Sequence, residues 1–193
     1  LAKIQTSNLA GGTSLRGREE NDYYATPPQT TKVLLDILEL KGSILEPACG
    51  EGHISKVLKE YYPDSEICSS DLIDRGYGEV ADFLTYDYKN KMFNNVITNP
   101  PFKFAEEFVR KALSITNDKV IMLCKIQLLE SKQRSILFKE TPLKYIYVFT
   151  NRQATWMNGK QTDEKGKPWS TTMCLAWYIW EHGYDGEPVV RWI

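Results

Sequence analysis

The chain has 193 residues, 42% of them hydrophobic and 25% charged, with a formal net charge of −1. This length can bury a sizeable core in one catalytic domain spanning residues 1–193, and the near-zero charge excludes a global polyanion-binding surface. With no long apolar run and no secretory start, the sequence reads as cytoplasmic and without membrane association.

Residues 1–21 are polar and aperiodic and read as a flexible arm. Thr26 is placed to cap a helix with Pro27 in its first turn, and Val33, Leu34, Ile37 and Leu38 would form that helix's apolar stripe. Residues 43–45 read as a short buried strand, Glu46-Pro47-Ala48-Cys49-Gly50-Glu51-Gly52 as a glycine loop, and residues 54–61 as a helix with Ile54, Val57, Leu58 and Tyr61 on one face. A strand, a glycine loop and a helix in that order suit a nucleotide-like cofactor, because glycines let it approach the backbone closely. A dinucleotide fingerprint needs glycine three residues beyond Gly52, where Ser55 stands, so NAD is disfavoured. Glu46 suits a cofactor bearing an ammonium group better than one bearing pyrophosphate. Residues 67–70 read as a second strand, and Asp71 lies about twenty residues past the loop, where an acid commonly holds ribose hydroxyls. Asp82 is a candidate for the amino group of a bound adenine, with Phe83 against its ring, whereas Asp64, Asp74 and Asp87 read as solvated loop acids.

The most informative segment comes after the apolar run Val96-Ile97-Thr98: Asn99-Pro100-Pro101-Phe102. An exocyclic amino nitrogen is a poor nucleophile because its lone pair is delocalised into the ring. A site must draw it toward a tetrahedral shape with acceptors aimed at its two protons. The Asn99 side-chain oxygen and the Pro100 carbonyl are those acceptors, two prolines set their direction in advance, and Phe102 offers a flat face for a planar base. The segment reads as a base- or amide-nitrogen methylation site.

Beyond Phe102 the pattern predicts a helix to about Leu113, a strand over 120–124, a helix near 131–138, a strand over 145–149 and a last strand over 172–180 with no helix before it. Between the last two strands, residues 151–170 are too many for a hairpin turn. Arg152, Lys160, Lys165 and Lys167 outnumber Asp163 and Glu164 there, with Trp156 and Trp169 interleaved. Such a loop suits a nucleic-acid backbone and its unstacked bases, or else is a hairpin extension whose tryptophans pack on the domain; both readings stay open. Lys125, Lys132, Arg134 and Lys139 read as a solvated helix face, and Trp177, Trp180 and Trp192 as core or tail packing. Cys49, Cys68, Cys124 and Cys174 form no Cys-x-x-Cys pair and read as buried free thiols, and His53 and His182 lack metal-ligand spacing, so no metal is expected.

In this order, Glu46 to Gly52, Asp71, Asp82-Phe83-Leu84 and Asn99 to Phe102 resemble the motifs of S-adenosylmethionine-dependent amino-methyltransferases acting on DNA, particularly the gamma group of adenine enzymes. Asp22-Tyr23-Tyr24-Ala25-Thr26-Pro27-Pro28 adds to a resemblance that covers about residues 22–180 and is nearest to small phage or prophage enzymes. It implies an α/β class I, Rossmann-like three-layer sandwich with a mostly parallel seven-stranded sheet and an antiparallel last strand. S-adenosylmethionine is the implied cofactor. Tyr24, Thr26 and Pro27 would line its methionine end, Glu46, Ala48 and Gly50, in the loop closing at Gly52, its ammonium side, Asp71 and Leu72 its ribose, and Asp82 and Phe83 its adenine. Asn99, Pro100, Pro101 and Phe102 would hold a target adenine drawn out of DNA and methylated on its 6-amino group.

The same acceptors serve cytosine's 4-amino group, and an Asn-Pro-Pro-aromatic site also serves RNA-base and protein-glutamine methyltransferases. A non-catalytic cofactor-binding module with a regulatory role is the alternative of a different class. Many members carry a separate target-recognition domain, for which the residues after 180 leave no room, so a partner or a homo-oligomer is expected to supply specificity.

Overall fold

The computed structural model describes residues 23–132, 134–169, 171 and 173–193; the expected arm and Asp22 lie outside them. The described chain opens with β1 (Tyr24–Ala25) and α1 (Pro28–Leu35), then β2 (Ile44–Glu46), α2 (His53–Tyr61), β3 (Ile67–Asp71), β4 (Glu79–Val80) and β5 (Phe93–Thr98). It continues through α3 (Ala105–Ser114), β6 (Thr116–Lys125), α4 (Arg134–Glu140), β7 (Leu143–Val148), β8 (Trp156–Met157), β9 (Leu175–Glu181) and β10 (Val189–Trp192). Eight of these strands make one sheet in the order β10-β7-β9-β6-β5-β2-β3-β4, and β1 pairs with β8 in a separate two-stranded ribbon. β9 runs antiparallel to both neighbours, β6 and β7, while the other ladders of this eight-stranded sheet are parallel. The chain turns back at β9 because, among the described residues, no helix lies between β7 and β9 to carry a parallel crossover.

Both faces of the sheet are covered. Along β6, Val120, Met122 and Cys124 face Phe108, Val109 and Ala112 of α3, whereas Ile121 and Leu123 face the side of Leu34, Ile54 and Leu58 from α1 and α2. Strand β9 divides likewise, with Tyr178 and Trp180 on one side and Trp177 and Ile179 on the other. Two buried faces explain why these strands read as continuous apolar runs. Trp177 is fully buried, and its indole nitrogen donates to the Thr30 carbonyl of α1 at 3.0 Å, tying helix to sheet. Trp177→Phe is therefore expected to cost about 1–3 kcal/mol, through the lost hydrogen bond and the smaller ring, read as a lower urea midpoint at unchanged m-value.

Several expectations are corrected. The sheet has one strand more than the seven expected, because Val189–Trp192 adds a parallel edge to β7. Trp192 on that edge is 68% exposed and is not core, unlike Trp177 and Trp180. Helix α1 ends at Leu35, so Ile37 lies beyond it and is exposed; the buried face is Thr30, Thr31, Leu34 and Leu35, with Leu38 in the following turn. Pro27 takes the cap position, with no side-chain cap, so Thr26 does not cap the helix. A single 3-10 turn, Phe102–Phe104, precedes α3, and α4 is described over Arg134–Glu140, with the Ser135 amide donating to the Ser131 carbonyl ahead of it at 3.0 Å. Of the cysteines only Cys49 and Cys124 are buried; Cys174 is exposed. No described helix is long and apolar enough to cross a membrane.

Candidate active site

Parallel strands present their carboxyl ends on one rim, and here the order runs outward from β2 in both directions, toward β3 and toward β5. The crevice at such a reversal is where open α/β sheets bind ligands. Glu46 ends β2, Asp71 ends β3 and Asn99 comes directly after β5, so residues far apart in sequence meet there for a topological reason.

Glu46 is 1% exposed. Ser55 of α2 donates its hydroxyl hydrogen bond to Glu46 Oε2, and the Ser55 and Ser69 hydroxyls lie 2.6 Å apart. Burial pushes the Glu46 carboxyl up to about 8; Ser55 opposes that shift and the charge of Asp71 adds to it. Among the described residues no cation pairs with Glu46. A buried acid without its own cation is the complement of a cationic ligand, so this donor set fits the ammonium end of S-adenosylmethionine. The fingerprint position that disfavours NAD, Ser55, is thus the partner of the loop's acid, a link that sequence spacing does not reveal.

Asp71 holds the glycine loop. Its Oδ2 accepts from the Gly50 amide at 2.8 Å and its Oδ1 from the Ile73 amide at 3.0 Å, which leaves each oxygen capacity for another donor. Gly50 and Gly52 have φ of 53° and 78°, and a Cβ on either would run into the ring of Tyr23 or of Tyr77. Asp71→Asn keeps one acceptor and loses the charge. Since charge-assisted hydrogen bonds are about twice as strong as neutral ones, cofactor affinity is expected to fall about three- to tenfold, measured by calorimetry. Unchanged affinity would overturn the ribose role expected of Asp71.

Sequence reasoning left Tyr23 without a role, and it lies over the loop. The Glu51 amide donates to its hydroxyl at 3.0 Å, His53 Nδ1 lies 3.2 Å from the same oxygen, and the Arg75 guanidinium sits 4.4 Å above its ring. The Asn158 amide donates to the Tyr23 carbonyl at 2.8 Å, and Trp156 meets His53 edge-on at 5.5 Å. The first half of residues 151–170 is therefore docked on the segment ahead of the glycine loop. Trp156 is half-buried there, and Trp169 is half-buried and donates to the Lys160 carbonyl at 2.6 Å. Arg152, Lys160, Lys165 and Lys167 are exposed, and Arg152 donates to the Thr171 carbonyl at 3.2 Å.

Asn99 has a defined orientation. Its amide nitrogen lies 3.2 Å from the Tyr24 carbonyl and 3.1 Å from Thr26 Oγ1. A carbonyl only accepts, so the NH2 group must face Tyr24 and Thr26, and Oδ1 turns to the opposite side. The hydroxyl of Thr26 thus orients Asn99. Pro100 is buried and Pro101 exposed, and the Pro101 carbonyl accepts from the Phe104 amide at 2.8 Å to start the 3-10 turn. Phe102 is half-buried against the cluster that α1 and α2 form, and Lys125 Nζ lies 4.9 Å from its ring centroid.

The adenine motif is only partly available. Phe83 is 2% exposed, with its ring on Phe108 at 4.8 Å and on Tyr88 at 6.2 Å, so its expected contact with adenine is corrected to core packing. Asp82 is exposed and accepts from the Leu84 amide and the Thr85 hydroxyl, each at 3.0 Å. Leu72 is 60% exposed beside Asp71, and Ala48 packs half-buried against the core.

No family model matches the chain. It is 29% identical over 130 residues to the methylase subunit of the type I restriction enzyme MjaIX of Methanocaldococcus jannaschii, covering 55% of this chain and 23% of the relative. Among solved structures it resembles a modification subunit assigned to a type I restriction enzyme of Vibrio vulnificus YJ016, with a TM-score of 0.59 at 13% identity, over 91% of this chain and 48% of that one. It also resembles the magnesium protoporphyrin IX methyltransferase of Synechocystis PCC 6803 with bound S-adenosylmethionine, with a TM-score of 0.52 at 12% identity, over 80% of this chain and 78% of that one. The chain therefore spans under half the length of the two restriction-enzyme subunits it matches. Its fold is the class I fold of S-adenosylmethionine-dependent methyltransferases.

Proposed function

We propose that this domain transfers a methyl group from S-adenosylmethionine to the 6-amino group of adenine in DNA. The observation that carries the reading is the Asn99 amide, whose two protons are taken by Tyr24 and Thr26 so that Oδ1 is left as an acceptor on the rim shared with Glu46 and Asp71. When bound, S-adenosylmethionine supplies an electrophilic methyl on a sulfonium. Glu46 meets its ammonium group, Asp71 its ribose and Asp82 its adenine. Asn99 Oδ1 and the Pro100 carbonyl accept hydrogen bonds from the target amino group and draw it toward tetrahedral geometry, while Phe102 stacks on the base. The N–C bond forms as the C–S bond breaks, and the amino proton leaves to solvent. Two relatives that are restriction-modification subunits support DNA as the acceptor.

Incubation with methyl-labelled S-adenosylmethionine and separate DNA, RNA and protein pools, followed by nucleoside analysis, tests the proposal. Label in N6-methyladenine from DNA is expected; label confined to RNA or protein overturns it. The exposed cations of residues 151–170 are proposed to grip the strand. Replacing Arg152, Lys160, Lys165 and Lys167 with glutamine should weaken DNA binding and flatten its salt dependence, with cofactor affinity unchanged, because fewer counterions are released. An identical salt series for both proteins would show that the strand is held elsewhere.

A further inference from the structure

Glu46 and Ser69 are register partners in the parallel ladder of β2 and β3, so their side chains leave the same face of the sheet. Helix α2 lays Ser55 over both. The Ser55 hydroxyl donates to Glu46 Oε2 and lies 2.6 Å from the Ser69 hydroxyl. Glu46 and Ser55 are fully buried, whereas Ser69 is half-buried and lines a cavity of about 530 Å³ beside β3, open to solvent between the exposed Lys59 and Glu79. Glu46, Asp71 and Asn99 are not among the residues that line it. Three oxygens therefore run in hydrogen-bond contact from a closed carboxyl to solvent, on a route separate from the crevice of the candidate active site.

Resting on the reading in which Glu46 meets the cofactor's ammonium group, we propose that Ser55 and Ser69 form a proton exit, carrying the Glu46 proton to the cavity beside β3 as the cofactor binds. With Glu46 ionised, Ser55 must donate to it and Ser69 to Ser55, because a carboxylate only accepts. With Glu46 protonated, the same oxygens carry the reverse order: carboxyl to Ser55, Ser55 to Ser69, Ser69 to solvent. A buried acid without its own cation holds its proton, and an ammonium ligand drives the proton off. That ammonium has donors only and covers the crevice side, so it neither takes the proton nor leaves it a way out there. In the transfer, the O–H bond at Glu46 breaks as one forms at Ser55, the Ser55 proton passes to Ser69, and the Ser69 proton passes to a solvent molecule. Both hydroxyls end neutral and Glu46 ends as a carboxylate. The other titratable groups that face Glu46 are Asp71 on β3, Cys49 in the glycine loop and Tyr23 over that loop. Burial pushes the Cys49 thiol and the Tyr23 hydroxyl each up to about 12, so both keep their protons, and Asp71 is turned to the Gly50 and Ile73 amides.

The test mixes the protein with S-adenosylmethionine by stopped flow in weak buffer at about pH 6, where the cofactor's amino group is charged, and a pH-indicator dye follows the released proton. Cofactor is raised until the wild-type rate no longer increases, so that the rate reports the step after encounter. In Ser69→Ala, release is expected to slow by about a hundredfold, the lower end of what a positioned proton-transfer group contributes, while the final amplitude matches the wild type. Ser69→Thr keeps the hydroxyl and Ser69→Val removes it in nearly the same shape. The first should release its proton at the wild-type rate and the second as slowly as Ser69→Ala, which separates a lost relay from a packing defect. Equal rates in Ser69→Thr and Ser69→Val, in a protein whose wild type releases a proton, overturn the exit through Ser69 alone. A wild type that binds S-adenosylmethionine by calorimetry and releases no proton overturns the pairing of Glu46 with the ammonium group itself, before any variant is compared.

Discussion

Asn99→Ala is expected to lower turnover by about two to three orders of magnitude while leaving S-adenosylmethionine affinity within about twofold, the scale for removing one preorganised transition-state hydrogen bond. The orientation of the amide explains why the loss should fall on turnover. Tyr24 and Thr26 take both amide protons at 3.2 and 3.1 Å, so the oxygen is aimed before substrate binds and needs no reorganisation during reaction. Alanine removes the acceptor, whereas Glu46 and Asp71, the residues proposed to hold the cofactor, remain. Single-turnover kinetics with saturating cofactor measure the effect; a rate within about threefold of the wild type would remove Asn99 from the chemistry.

Cofactor affinity is expected to rise roughly tenfold to a hundredfold between pH 6 and pH 8 and to lose this dependence in Glu46→Gln. The cause is burial, which pushes the Glu46 carboxyl up to about 8 in the cofactor-free protein, so that the group carries a proton at pH 6. An ammonium ligand favours the carboxylate, and binding must therefore release that proton. The gain levels off above pH 8, where the cofactor's own amino group, ordinarily near ~7.7–8.0, begins to lose its charge. Calorimetry in two buffers of different ionisation enthalpy reads the proton directly, and its absence would sink the assignment. The same carboxyl has a stability signature of defined sign. Its folded pKa lies above its unfolded value of 4.5, so the folded state binds more protons between about 4.5 and 8 and stability falls as pH rises through that window. The fall is at most ~1.4 kcal/mol per pH unit, and Glu46→Gln should remove it, most visibly as a higher urea midpoint at pH 8.

Local chemistry determined much of this protein without any tertiary information. The apolar runs of β5, β6 and β9, the glycine loop after β2, the acid at the end of β3 and Asn99-Pro100-Pro101-Phe102 each identify themselves by residue type and by their immediate neighbours in the chain. Element order then dictates a mostly parallel sheet, and a parallel sheet brings Glu46, Asp71 and Asn99 to one rim. Long-range pairing decided the rest, since sequence spacing carries no trace of contacts between distant segments. Tyr23 and Thr26 meet the glycine loop and Asn99 because β1 pairs with β8, more than a hundred residues away. That same pairing half-buries Trp156, which composition alone places as readily on a strand of nucleic acid. Phe83 turns inward because Phe108 and Tyr88 offer it a core, and Val189–Trp192 becomes a strand because β7 has an open edge. The titration of Glu46 belongs to this second class as well: a glutamate in a glycine loop is ordinary until α2 closes over it with Ser55 and brings no cation to pair with it.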